Sequence, residues 1–416
     1  METRRTTVRD VRRANRASLL TDLFHGGRQS RQQLGDTTAL SQASVSNLIG
    51  EMIDEGLVEE AGLVGSDGGR PRALLRVAPG YGYVAGADVG PTRVLVELYD
   101  LAMSRLGVAT YALGERGGDP RLVAAKLLEG LAAVVDEAGV QPSEVLGFGV
   151  GVTGVVDQTC DPVVHSQTNG WDGVPLGAML REGTGVPVFV ENGAKAVGQA
   201  EMWFGAGRGA RHAVIVMVGA GVGAAVVMDG RGYRGANSNA GEWGHTTLVY
   251  DGDRCRCGAR GCLEAYISSD RVDARLAEAL GCEPDPGLLP RVLSGPVDGP
   301  AAEVITQTIG YLGAGIAGLI NLFSPERIVL GGRAGLALGE RCLPEIRAAS
   351  ARYALRHPYS KTRIDIGQLG PDAVAMGAAT LPIARLLTDG GLPAAGGAPI
   401  PFSRATQRRQ ISRARG

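Results

Sequence analysis

The chain reads as an α/β protein in two parts: a winged helix-turn-helix over the first eighty residues, then a long body of short strands, glycine turns and amphipathic helices. Three observations lead there. Capped helical patterns follow one another before Gly56, and a glycine-rich hairpin follows them. From Gly82 the period changes to apolar runs of strand length separated by tight turns. With 416 residues and 44% hydrophobic content, the chain can fill more than one core. Its 64 glycines sit between apolar runs and have no collagen-like period. The net charge of -1 favours no partner class by itself.

The first helix is predicted over Val8 to Phe24, with apolar residues at Val11, Ala14, Leu19, Leu20, Leu23 and Phe24 at helical spacing, and Gly26-Gly27 stops it. Ser30 with Gln33 three residues on is a capping box, so a short helix should run to about Thr37. Thr38-Ala39-Leu40 makes a turn, and Ser41 caps a third helix reaching about Glu55. That helix buries Val45, Leu48, Ile49, Met52 and Ile53 and exposes Gln42, Ala43, Ser44, Ser46 and Asn47. Val58 onward and Ala73 to Val77 are two strands joined by a tip from Gly65 to Pro71. A capped helix can present its first turn to base edges in the major groove, and Arg70 at the tip can enter a narrow minor groove. Gln42, Ala43, Ser44, Ser46, Asn47 and Arg70 are therefore the candidate contacts to double-stranded DNA. The charge distribution agrees, with eight Arg against three acids over residues 1–35.

In the body, Tyr83 to Leu98 reads as strand, turn, strand, and Leu122 to Ala138 as an amphipathic helix. Val145 to Val152 is a buried strand, Thr153 to Asp157 turns out of it, and Asn169-Gly170-Trp171 lies in a loop. Val186 to Val190 leads into Glu191-Asn192, with a helix over Ala194 to Trp203. Ala213–Met217 and Ala224–Met228 flank the turn Gly219-Ala220-Gly221-Val222-Gly223, which can cradle a phosphate but is also what any tight hairpin uses. The most specific local signal is His245-x9-Cys255-x-Cys257-x4-Cys262. Three thiolates and one imidazole are the tetrahedral set that Zn²⁺ prefers, and with all four positions filled by protein the ion is structural. Cys160, Cys282 and Cys342 are scattered, which is no disulfide framework and fits a reducing cytosol. Neither a leader nor a membrane span is expected. The tail from Ser403 carries five Arg and no acid, as disordered basic chain does.

These residues resemble the ROK family (repressor, open reading frame, kinase), in particular its DNA-binding repressors, from about residue 10 to 388. The resemblance rests on Gly69-Arg70-Pro71, Asp88-Val89-Gly90-Pro91-Thr92, Glu191-Asn192, Gly241-Glu242-Trp243-Gly244-His245, the cysteine run through Leu263-Glu264, and Arg327-Ile328-Val329-Leu330-Gly331-Gly332. It implies a two-lobed, actin-like ATPase (ribonuclease H-like) fold over 81–388, behind a winged helix over 1–80 and before a tail over 389–416. It implies a sugar in the cleft, contacted by Asn192, Glu242, His245 and Glu264, with Asn169 a further candidate. His245 would hold zinc through one nitrogen and a sugar hydroxyl through the other. The kinase half is eroded. Gly193 stands where the family's catalytic Asp follows the Asn, and glycine cannot act as a base. Pro91 replaces a phosphate-loop glycine, and Arg333 stands where a third glycine is common. The resemblance thus implies a sugar-responsive repressor acting as a homodimer or tetramer on operator DNA, with no catalytic residues. The alternatives are a hexose kinase with an added DNA-binding domain, and a regulator controlled by a partner protein.

Overall fold

The computed structural model describes residues 7–64, 72–114, 118–158 and 161–391. Arg70 and the rest of the wing tip, Cys160, and the basic tail lie outside the described residues.

Helix α1 (Val8–Gly26) is capped by Thr7, whose side chain accepts from the Asp10 N–H in a capping box. Strand β1 (Gln29–Ser30) is a two-residue pairing that the sequence reading did not include. Helix α2 (Arg31–Thr38) starts at the Ser30–Gln33 capping box as expected, and Ala39 ends it in the left-handed region, φ 58°. Helix α3 (Gln42–Asp54) is capped by Ser41. Strands β2 (Val58–Val64) and β3 (Arg72–Val77) complete a three-stranded sheet in the order β1-β3-β2. This is the winged helix-turn-helix.

The body holds two sheets of the same design. The first contains β4 (Tyr83–Val89), β5 (Arg93–Asp100) and β6 (Arg105–Ala112). After α4 (Pro120–Glu137) it continues with β7 (Val145–Val152). Three short strands, β8 (Val155–Asp157), β9 (Val163–Ser166) and β10 (Trp171–Val174), form a small separate sheet where the sequence suggested only a turn and a loop. Helix α5 (Leu176–Arg181), β11 (Val188–Asn192) and α6 (Gly193–Phe204) follow. The second large sheet is built from β12 (Ala213–Val218), β13 (Val222–Met228) and β14 (Arg231–Gly232). Then come α7 (Glu264–Ile267), α8 (Ser269–Leu280), α9 (Leu288–Leu293), α10 (Gly299–Phe323), β15 (Arg327–Gly331), α11 (Arg333–Tyr353), α12 (Arg356–Lys361), β16 (Arg363–Ile366) and α13 (Ala373–Asp389).

The strand orders are β11-β7-β4-β5-β6 and β14-β13-β12-β15-β16. Each sheet pairs an antiparallel meander with two parallel strands: β4 with β7 and β7 with β11, then β12 with β15 and β15 with β16. That repeated topology is the two-lobed actin-like fold. Helix α13 lies almost directly on the first sheet. A Cβ at Gly86 would come 2.0 Å from the Ala375 carbonyl oxygen, and one at Gly149 would come 1.9 Å from that of Ala378, so glycine is what permits this approach.

The winged helix is not tethered by a loose linker. Leu19, Leu20, Leu34, Ile49 and Leu75 share one core with Val84, Tyr99, Trp203, Ile383 and Leu387 of the body. Arg16 is 3% exposed. Its Nε donates to the Gly390 carbonyl (2.9 Å), and its two terminal nitrogens grip Glu55. Among the described residues only α10 is long and apolar enough to cross a membrane, and 56% of its most apolar window is buried in the second lobe, as in a core helix.

Candidate functional site

The DNA-facing candidates sit as the cap predicts. Gln42, Ala43, Ser46 and Asn47 are exposed on the first two turns of α3. Ser44 differs: its hydroxyl lies 2.9 Å from that of Ser41, and its N–H donates to the Ser41 oxygen, so it serves the cap first.

The four metal-ligand candidates converge. One ligand atom from each of His245, Cys255, Cys257 and Cys262 lies within 4.8 Å of all the others. His245 Nδ1 is 3.7 Å from Cys255 Sγ, and Cys257 Sγ is 3.7 Å from Cys262 Sγ. A tetrahedron with Zn–S bonds of about 2.3 Å has S···S edges of about 3.8 Å, so the spacing fits this ion. Burial, and then contact with Cys257, pushes the Cys262 thiol up to about 12, and burial raises Cys255 as well. Cys255 and Cys262, with raised pKa values, resist ionisation until a dication compensates them.

Three of the sugar-site candidates, Glu242, His245 and Glu264, lie within electrostatic reach of one another beside this loop. Glu242 is pushed up by burial, drawn down by His245 and Lys195, and raised by Glu264, so these groups face one another. Glu264 is buried and already employed: Oε2 accepts from the Val222 N–H (2.9 Å), and Oε1 lies 3.2 Å from Arg256 Nε. It therefore fastens the 219–223 glycine turn to the metal loop. Asn192 caps α6: Oδ1 accepts from the Lys195 N–H (3.1 Å), and Nδ2 donates to the Gly154 carbonyl (2.7 Å). Asn169 is the opposite case. It is 7% exposed, and neither of its side-chain amide atoms has a hydrogen-bond partner.

Sequence reasoning missed Lys195 and Arg234. Lys195 is buried in the first turn of α6 and donates to the Ser238 carbonyl, in the loop leading to Glu242. Arg234 pairs with buried Glu191 at 2.5 Å. The available signal was a lone lysine in an otherwise small, apolar helix start.

Two arginines converge on one carboxylate between the lobes. Arg93 of β5 and Arg333 at the start of α11 both reach Asp372 Oδ1 at 2.6 Å. This joins the β4–β5 hairpin to the second lobe. Asp88 of that hairpin is half-buried, and desolvation pushes it up to about 6 against the pull of Arg93.

The ROK family model matches residues 84–385. The chain is 28% identical over 390 residues to the xylose repressor of Caldicellulosiruptor bescii, covering 91% of this chain and 97% of that one. It is 30% identical over 310 residues to a glucokinase of Halalkalibacterium halodurans, covering 71% of this chain and 93% of the relative. Among solved structures it is similar to a ROK family transcriptional regulator described as a homologue of the Escherichia coli MLC protein. There the TM-score is 0.75 at 26% identity, over 92% of this chain and 98% of that one.

Proposed function

The chain belongs to the ROK family, and from that premise we propose that it is a sugar-responsive transcriptional repressor whose kinase-like body senses and does not phosphorylate. One observation carries the reading. A winged helix shares a hydrophobic core with a kinase-like lobe whose cleft has glycine at 193, with an Arg93–Asp372–Arg333 ion set between the lobes. A similar repressor matches over the winged helix as well as the body, whereas a similar glucokinase covers 71% of the chain.

In this reading residues 1–80 read operator DNA through Gln42, Ala43, Ser46 and Asn47, with Ser44 shaping the cap and Arg70 reaching from the wing. Residues 81–388 hold the sugar. Asn169 offers it an unspent amide, and Glu242, Glu264 and Asn192 accept or donate to adjacent hydroxyls. Buried polar groups of this kind reject sugars that leave them unpaired. Cys255, Cys257, Cys262 and one ring nitrogen of His245 would hold zinc, which would order the loop and fix the imidazole so that its other nitrogen meets a hydroxyl. Two copies of the chain read the two halves of an operator.

The test is fluorescence anisotropy on DNA from the region upstream of the protein's own coding sequence, with a panel of sugars at stated salt. Tight binding released by one sugar is expected. Tight binding indifferent to every sugar would transfer the sensing role to a protein partner, and phosphorylation of a sugar would restore the kinase alternative.

A further inference from the structure

Beside the metal loop is a cavity of about 530 Å³, whose lining includes Cys255, Gln167, Arg254, Arg256, Ser268 and Arg271. Glu264, proposed above as a sugar contact, and Asp270 also line it. Its volume falls within the roughly 300–1,000 Å³ of ligand pockets.

Its charge is unbalanced. Both acids in its wall are spent on one arginine: Arg256 lies 3.2 Å from Glu264 and 2.7 Å from Asp270. Arg256 also reaches the Thr168 hydroxyl at 3.5 Å, tying the metal loop to the strand-end loop that carries Asn169. Arg254 and Arg271 have no carboxylate within salt-bridge distance among the described residues. The one contact between them is an Arg271 nitrogen donating to the Arg254 carbonyl (3.0 Å).

A second observation is independent of charge. Ser268, which also lines the cavity, is fully buried, and its hydroxyl has no hydrogen-bond partner. Such a hydroxyl costs free energy unless something pairs with it. Asn169, two residues from Gln167, has the same unmet need. Two guanidiniums with no carboxylate partner, an unpartnered hydroxyl and a neighbouring unpartnered amide form a donor-rich set suited to an oxyanion.

We propose that this cavity is an anion subsite, and that the effector is a sugar bearing a phosphate or carboxylate which Arg254 and Arg271 hold with the Ser268 hydroxyl. The subsite lies on the metal-loop side and not beside Gly193 and Pro91, so the anion it takes is no transferred phosphate. The proposal rests on the sugar-sensing reading and fails separately from it.

The test is calorimetric titration of the zinc-loaded full chain with glucose, xylose, glucose 1-phosphate, glucose 6-phosphate, glucuronate and inorganic phosphate. One anionic sugar should bind about tenfold or more tighter than its neutral parent, as charge-assisted hydrogen bonds allow, and the advantage should shrink with salt. Which ester or acid wins distinguishes phosphate from carboxylate. In the Arg254→Ala/Arg271→Ala variant, which alters no metal ligand, the advantage should disappear while affinity for the neutral parent stays within about twofold. Neutral and anionic sugars binding equally would overturn the subsite and leave the sensor reading intact, as would an advantage that survives in the variant. Inorganic phosphate binding as tightly as any sugar ester would show a free-anion site and overturn the link to the effector. No binding by any sugar would remove the sensor reading, and this subsite with it.

Discussion

Replacing Gly193 by Asp restores the carboxylate that the family's kinases place there, and it should yield a folded protein with no kinase activity. Gly193 opens α6 and lies outside the left-handed region, so a side chain brings no backbone strain. A Cβ there meets Val374 Cγ1 at 3.4 Å and the Val152 carbonyl oxygen at 3.5 Å, which are ordinary contacts. Leaving glycine in a helix gains up to about 1 kcal/mol, and a carboxylate in a first turn gains about 0.3–1 kcal/mol. Burying that carboxylate near Glu191 and Glu242 opposes this by a similar amount. The net change should stay within about 1 kcal/mol, so the thermal midpoint should move by no more than a few degrees. A positioned general base is worth about 10²–10⁴ in rate. If the base were the one missing part, sugar-dependent ADP release with Mg-ATP should rise by that factor. We expect no rise, because Pro91 replaces a phosphate-loop glycine and the Arg93–Asp372–Arg333 ion set ties the hairpin that carries it to the second lobe. Coupled ADP release, checked by transfer of labelled phosphate to the sugar, measures this. A tenfold gain in Gly193→Asp alone would refute the reasoning.

Two further outcomes follow from the geometry. Stripping the metal, or replacing Cys257 with Ser, should abolish sugar binding and lower the melting transition of the second lobe, while the winged helix, whose core is shared with the first lobe and not with the second, keeps its operator affinity. Equal loss of both functions on chelation would contradict this separation. His25 packs edge-on against Trp203 with centroids 4.9 Å apart, and burial, with Arg208 nearby, lowers its pKa from 6.5 to about 4. The unfolded chain therefore takes the proton first. Stability from this contact is full above about pH 6.5 and is lost as pH falls toward 4, by at most about 3 kcal/mol. Denaturation midpoints followed by tryptophan fluorescence should show this slope in the wild type and a shallower one in His25→Phe, and parallel slopes would show that His25 plays no part.

Local signals were legible in the sequence wherever one segment decided the outcome. The Ser30–Gln33 capping box, the Ser41 cap and the strand over Val145–Val152 all stand where spacing put them. The cysteine and histidine ligands converge because their spacing in one loop leaves little alternative. What stayed hidden depended on distant partners. The small sheet of β8, β9 and β10 uses strands of three or four residues, too short for a period to show. Nothing local shows that Arg16 closes on Gly390, a partner 374 residues away. Nor does a motif show that Glu264 is engaged by Arg256 and the Val222 N–H, or that Asn192 is spent on a helix cap.

The shared core has a consequence for how a sugar could release DNA. The winged helix is bound to the first lobe by Trp203, α13 and the Arg16 clasp, so it moves with that lobe and not independently of it. Helix α6 spans the gap: its start holds Asn192 and Lys195 at the cleft, and its end, about 18 Å away, presses Trp203 and Phe204 on Phe24 and His25. A sugar that draws the second lobe toward α6 therefore reorients the DNA-reading helix relative to the second lobe without unfolding anything between. Such motion changes operator affinity only to the extent that the sugar prefers one lobe angle. To shift a repressor from mostly bound to mostly free requires a preference of about 10⁴, or about 5.5 kcal/mol. Breaking the Arg333–Asp372 contact, half-exposed and worth under about 1 kcal/mol, cannot supply that alone. Most of it has to come from contacts the sugar makes with both lobes at once, the role proposed above for Asn169 of the first lobe and Glu242 of the second.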